Sequence, residues 1–267
     1  MQAFTLTQPV GPALPVLASI PHSGTYVPDD IRVLFANKSV AHLPMTDWFL
    51  YHLYDFLPGL GVSVVAANVS RYVIDMNRSP LPLELYPGRF ETKLVADSDF
   101  QGRSIFSSYP SQQQIDLYTQ QVHVPYHRAL QQCLTSLQQA HGKVYLFDLH
   151  SIAKSATLIH AELDKDIYLG DRDGNSCSGQ WTQMIADEFM QHKFSVQKNQ
   201  PYKGGYITHH YGQDANVEAL QIEMNQEVYM QSEHAGDAQL AVQSQRFIQA
   251  KTRLEALFVA LLESLEH

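Results

Sequence analysis

The chain has 267 residues, of which 45% are hydrophobic and 17% charged, enough apolar material for a full buried core. Its formal net charge is -9 and its pI is near 5.7. That balance excludes nucleic acid and an anionic membrane surface as main partners, because both need clustered Lys and Arg. A local basic pocket for a small anion is still compatible with it.

Met1 to Pro15 carries neither a basic start nor a continuous apolar run, so no signal segment is expected, and no stretch reaches the ~18 apolar residues of a membrane span. The two cysteines, Cys133 and Cys177, lack a CxxC pattern, and a reducing cytoplasm is the expected setting. Val16 to Ile20 reads as the first strand, followed by the turn Pro21-His22-Ser23-Gly24. Asp47 to Leu57 has a short helical pattern. Val62 to Ala66 and Tyr72 to Met76 read as the second and third strands. From Gln112 to Ala140, apolar residues recur every three or four positions, and His141-Gly142 supplies a stop. Lys143 to Leu149 is the clearest strand and ends at His150. Ile167 to Leu169 and Ala219 to Met224 are two more, with a helix over Gln180 to His192 between them. Asp237 to Leu265, with Leu240, Leu254 and Phe258 on one stripe, predicts a long helix covering one sheet face. No repeat or linker interrupts the chain, so a single domain over 1-267 is expected. Alternating strands and helices predict a three-layer α/β/α sandwich with a mixed, largely parallel sheet.

In such folds ligands sit outside the carboxyl ends of the strands. Thirteen histidines are about twice the average share, and two of them fall at strand ends, His22 and His150. A lone strand-end histidine is most often structural. Here Glu223 lies inside the apolar run Gln221-Ile222-Glu223-Met224, where a carboxylate is costly unless paired or bound to metal. Two imidazoles and a carboxylate form the ligand set of a catalytic zinc site, and a second carboxylate can serve as base. Asp47 and Glu223 are the candidate carboxylates. Asp47, in Thr46-Asp47-Trp48, reads equally as a helix cap.

Arg71 and Arg78 flank the run Tyr72 to Met76 and are candidates for gripping carboxylates, although either alone reads as a surface arginine. Lys203 to Gly212 is rich in Gly, aromatic and His residues, and predicts a loop that walls or covers a site. Gly170 to Gly174 lacks the spacing of a calcium loop and reads as a turn. Ser23 and Ser151 each neighbour a histidine but lie outside GxSxG, which disfavours a serine hydrolase.

Taken in order, Pro21-His22-Ser23-Gly24, Thr46-Asp47-Trp48, Ser70 to Arg78, Tyr86-Pro87-Gly88, Asp148-Leu149-His150-Ser151, Tyr202 to Thr208 and Gln221 to Met224 resemble the N-formylglutamate amidohydrolases. The resemblance spans Pro21 to Met230. It implies a phosphorylase/hydrolase-like fold related to zinc carboxypeptidases and aspartoacylases. It also implies one zinc ion, or another divalent metal, with His22 and His150 as ligands. The related peptidases take their carboxylate ligand from HxxE. Here Thr25 stands three residues after His22, and Asp47 is the substitute. Glu223 is then the general base, and Arg78 or Arg71 the oxyanion stabiliser. The other arginine, with Asn77, Lys203, Gly205, Tyr206 and Thr208, contacts a small dicarboxylate substrate. The implied reaction is hydrolysis of N-formyl-L-glutamate in cytoplasmic histidine degradation. Hydrolysis of another N-acyl amino acid, or anion binding without catalysis on the same scaffold, are the alternatives.

Overall fold

The structure is a computed structural model that describes residues 1–231 and 241–265. Its strands are β1 (Phe4–Thr7), β2 (Val16–Ile20), β3 (Ser63–Ala67), β4 (Val144–Ile152), β5 (Ile167–Gly170), β6 (Val196–Lys198) and β7 (Val217–Asn225). They form one sheet in the order β1-β3-β2-β4-β7-β5-β6. The four central strands run parallel, while β1 joins β3 and β5 joins β7 antiparallel. The central strands are buried on both faces, which is why they read as unbroken apolar runs.

The helices are α1 (Asp29–Arg32), α2 (Leu50–Leu53), α3 (Gln112–Tyr118), α4 (Val124–His141), α5 (Gly179–Gln191), α6 (Tyr206–Tyr211) and α7 (Gln245–Glu263). One sheet face is covered by α4, through Tyr126, Leu130 and Leu134. The other is covered by α5 and α7, through Trp181, Phe189, Leu254 and Phe258. The alternation along β4 sets the two faces: Phe147 and Leu149 join the α5/α7 core, and Leu146 the α4 core. Asp148 and His150 therefore continue the α4 side, beyond the reach of its apolar packing.

Local chemistry accounts for the ends of these helices. Ser111 and Gln114 form a reciprocal capping box at α3. Ser178 and Ser244 cap α5 and α7 by accepting from the N–H groups of Trp181 and Phe247. Gly142, at φ 80, stops α4.

Several expectations need correction. The helix expected from Gln112 is split by a π-helical turn, Thr119–His123, between α3 and α4. Tyr72 to Met76 is a run of turns. Its apolar residues are all buried without alternating, a pattern shared by strands and by irregular segments packed under other elements. The helix expected from Asp47 contains regular turns only at Leu50–Leu53 and a 3-10 turn at Leu57–Leu60, where Pro58 lacks the donor to continue. The stretch expected as a loop at Lys203 to Gly212 contains α6, with Ile207 and Thr208 buried. Edge strands β1 and β6 were too short and too exposed to stand out. The start of the expected C-terminal helix, including Leu240, lies outside the described residues.

Phe258 is fully buried, 5.5 Å from the Phe147 ring and 5.9 Å from that of Tyr54. Phe258→Ala is expected to cost about 3–5 kcal/mol of stability, read from the urea midpoint at unchanged slope.

Candidate active site

The carboxyl ends of β2, β3, β4 and β7 open into a cleft of about 900 Å³, its mouth included. His22 follows β2 directly. In the turn that carries it, a Cβ on Gly24 would stand 2.4 Å from the Val69 carbonyl, so only glycine lets this turn approach the extension of β3. His150 and Glu223 are register partners on adjacent strands β4 and β7. Asp47 reaches them from the loop before α2, where its N–H donates to the His22 carbonyl at 3.1 Å. The cap of α2 is Phe49, with no side-chain capping bond, so Asp47 does not cap it. Gln226 Nε2 donates to the Thr46 carbonyl (3.3 Å) and to Ser151 Oγ (3.2 Å), bracing this loop against β4.

His22 Nδ1, His150 Nδ1 and Asp47 Oδ2 form a triangle with sides of 3.1, 3.2 and 3.7 Å. Each imidazole offers its other nitrogen to a carboxylate: His22 Nε2 to Asp75 Oδ1 at 2.7 Å, and His150 Nε2 to Asp148 Oδ2 at 2.9 Å. Carboxylates only accept, so both Nε2 atoms carry a proton, and each ring in its neutral form presents a lone pair at Nδ1. His22 Nδ1, His150 Nδ1 and Asp47 Oδ2 thus converge in a buried site, an arrangement suited to holding a cation between them. Tetrahedral bonds of ~2.0–2.1 Å place zinc ligands ~3.3 Å apart, and the triangle matches that spacing. The cluster could hold a metal ion.

The partners of the imidazoles are themselves anchored. Burial opposes charge on Asp75, but Arg71 and His22 outweigh it and hold the carboxyl well below its usual range. Arg71 Nη2 lies 2.7 Å from Asp75 Oδ2, and the Asn77 N–H donates to Oδ1 at 2.8 Å. Asp148, fully buried, accepts from Ser19 Oγ (3.1 Å) and Asn77 Nδ2 (3.1 Å). Asn77 Oδ1 accepts from the Ile207 N–H at the start of α6 (2.8 Å). A Cβ on Gly205 would stand 2.4 Å from Asn77 Nδ2, so glycine is required there as well. Burial disfavours the charged forms of Asp47 and His150 alike. Their mutual contact, with His22 beside Asp47 and Asp148 beside His150, lowers the Asp47 pKa and lifts that of His150 well above its ordinary value.

Glu223 lines the cleft. Burial, reinforced by Asp47 and Asp148 and opposed by His150 and Arg71, pushes its carboxyl up to about 8. Gln221 orients it. The Gly205 N–H donates to Gln221 Oε1 at 2.7 Å, which leaves Nε2 to donate to Glu223 Oε1 at 2.8 Å.

Of the residues expected from the sequence, His22, Asp47, Arg71, Asn77, Arg78, His150, Gly205 and Glu223 line the cleft. Arg71 is buried, with Nε unpartnered. Arg78 gives three donors to Thr92 and the Asn77 carbonyl. Lys203, Tyr206 and Thr208 lie outside the lining. The Lys203 ammonium pairs with Asp173 at 2.6 Å, Tyr206 stacks on His210, and Thr208 Oγ1 donates to the Gly205 carbonyl. Sequence reasoning missed Gln221, Tyr202, Arg89 and His160, all in the lining. Only Gln221, two residues before Glu223 and hence on the same face of β7, carried a usable signal.

A cleft of this kind, with a buried, oriented carboxyl and a cluster that could hold a metal over the carboxyl edge of a largely parallel sheet, defines an α/β enzyme. The N-formylglutamate amidohydrolase family model matches residues 14–230. The chain is 36% identical over 222 residues to the N-formylglutamate deformylase of Pseudomonas putida, covering 82% of each chain. It is 35% identical over 221 residues to that of Pseudomonas aeruginosa, covering 81% of this chain and 82% of the other. The crystal structure of N-formylglutamate amidohydrolase from Ralstonia eutropha JMP134 matches with a TM-score of 0.84 at 26% identity, covering 100% of this chain and 99% of that one. A gene product of Agrobacterium tumefaciens, 16% identical, shares the fold with a TM-score of 0.71, covering 100% and 97%. The chain belongs to the N-formylglutamate amidohydrolase family, and it is an amidohydrolase, as its motifs led one to expect.

Asp148→Asn is expected to weaken metal binding about 10- to 100-fold, measured by competition with a chromogenic chelator. Unchanged affinity would show that Asp148 does not act through His150.

Proposed function

We propose that this chain hydrolyses N-formyl-L-glutamate to formate and L-glutamate, using one divalent ion, zinc first among candidates, held by His22, Asp47 and His150. The observation that carries this reading is the triangle of His22 Nδ1, His150 Nδ1 and Asp47 Oδ2 in the same cleft as the oriented carboxyl of Glu223. Its support in the relatives is their printed activity, N-formylglutamate deformylase. When bound, such an ion supplies Lewis-acid polarisation of the amide carbonyl and acidifies a water molecule.

The chain's own residues do the rest. Glu223 accepts the proton of the attacking water and delivers it to the leaving nitrogen. A carboxyl raised towards neutrality is suited to both transfers, and a cation in the neighbouring cluster offsets part of that rise. The water oxygen bonds to the formyl carbon, the C–N bond breaks, and nitrogen leaves as the amine of glutamate. Arg71, whose Nε has no protein partner, and Arg78 offset the charge of the dicarboxylate, with Asn77 and Gly205 completing the inner wall. Histidine degradation in the cytoplasm is the setting that the family resemblance implies for this activity.

Removing metal with a chelator should abolish turnover of N-formyl-L-glutamate, and zinc should restore it; activity that survives metal removal would refute the metal role. Glu223→Gln should lower kcat by about 10²- to 10⁴-fold while the protein still binds one equivalent of metal. Full activity in this variant would overturn the assignment of the base. Asp47→Ala should lose tight metal binding, and a retained equivalent by elemental analysis would point to another third ligand.

A further inference from the structure

This inference rests on the deformylase reading and deepens it. Two tyrosines line the cleft, Tyr86 and Tyr202. The Tyr86 hydroxyl donates to the Gly204 carbonyl and accepts from the Lys203 N–H, both at 2.9 Å. Tyr126, Tyr211 and Tyr229 likewise donate to backbone carbonyls. The Tyr202 hydroxyl has no hydrogen-bond partner among the described residues. Tyr54 also lacks one, but it is sealed in the core under α7. Tyr202 is half-buried on the cleft wall, and the groups whose charge its hydroxyl senses are Glu223, Tyr86, Arg71 and Asp47.

The ring is held in place. It packs edge-on against His160, with centroids 5.9 Å apart. On one side the Pro201 carbonyl accepts from Arg89 Nη1 at 3.2 Å. On the other, the Lys203 carbonyl accepts from the Arg172 N–H at 2.6 Å. A free donor on a braced segment is the arrangement that stabilises developing charge without reorganising. Burial raises the phenol pKa well above its ordinary value, so the group remains a neutral donor throughout the working pH range.

The structure assigns the Tyr202 hydroxyl as a catalytic hydrogen-bond donor to the formyl oxygen as that oxygen gains charge during amide hydrolysis. When the water oxygen bonds to the formyl carbon, the carbonyl π pair moves onto the formyl oxygen, and the bond from Tyr202 strengthens without transfer of its proton. When the C–N bond breaks, the pair returns, and nitrogen takes the proton that Glu223 removed from water. The substrate carboxylates are better matched by the cleft guanidiniums of Arg71, Arg78 and Arg89, because a neutral phenol offsets no net charge. The phenol instead shares the cleft wall with Glu223 and Asp47, the groups proposed to act at the formyl carbon.

The test is Tyr202→Phe in the metal-loaded enzyme, which deletes one oxygen and keeps the ring on His160. Expected are a fall in kcat of about 10²-fold and a KM within about twofold. Calorimetric affinity for L-glutamate, which lacks the formyl oxygen, should be unchanged, as should metal content and thermal midpoint. A raised KM with unchanged kcat, or weakened glutamate binding, would overturn the assignment in favour of a carboxylate contact. An unaltered variant would reduce Tyr202 to packing. Should the wild type ignore N-formyl-L-glutamate, the proposed function fails. The same comparison then runs on whichever N-formyl amino acid it hydrolyses best, and hydrolysis of none overturns both.

Discussion

Two imidazole Nδ1 atoms and a carboxylate oxygen meet within 3.7 Å of one another in a buried pocket. Burial strengthens the electrostatics of that contact, which draws a cation or a ring proton to its centre. The surrounding structure reads as the means of enforcing it. Asp75 and Asp148 fix both ring tautomers. Arg71 compensates Asp75, and Ser19 and Asn77 saturate Asp148. The α6 N–H of Ile207 then holds Asn77. Every link is a hydrogen bond to a group that already has a second partner, so the rings have little freedom to turn away from one another.

Glu223 belongs to the same network. Glu223 is oriented by Gln221, Gln221 by the Gly205 N–H, and Gly205 packs directly against Asn77. A single short segment, Gly204 to Ile207, therefore links Glu223 to Asn77, whose amide bonds Asp148 behind the His150 ring. This explains why two glycines precede a helix of only six residues. Gly204 adopts φ 117, and Gly205 leaves no room for a Cβ. A side chain at either position would strain both halves of the site at once.

His22, His150 and Glu223 were legible because polar residues at or near the carboxyl ends of apolar strands have few bland explanations when they occur together. Asp47 was ambiguous, since a carboxylate before a short helix suits a cap as well as a ligand, and the position of Phe49 at the cap removes the capping reading. Lys203, Tyr206 and Thr208 lie outside the cleft lining for a geometric reason. Once Tyr206 starts a helix, successive side chains fan out at about 100°, so Tyr206 turns to His210 and Thr208 to the helix's own first turn, while Lys203, in the preceding loop, pairs with Asp173. Tyr202, Arg89 and His160 gave no local signal, because they enter the cleft from irregular segments with no periodicity to read.

By itself the sequence determined the layer order and the central strands, since apolar runs of strand length alternating with amphipathic helices admit few other packings. It also determined which strand ends bear titratable groups, because that depends only on spacing along the chain. The tertiary structure alone decided which nitrogen of each histidine faces inward, that Asp75 sits behind the His22 ring, and that Tyr202, from another loop, joins Glu223 in the cleft lining. The His22–Asp75 and His22–His150 contacts join residues 53 and 128 positions apart. Distances of 3 Å between such residues are set by the mutual packing of strands and loops, and no local pattern encodes them.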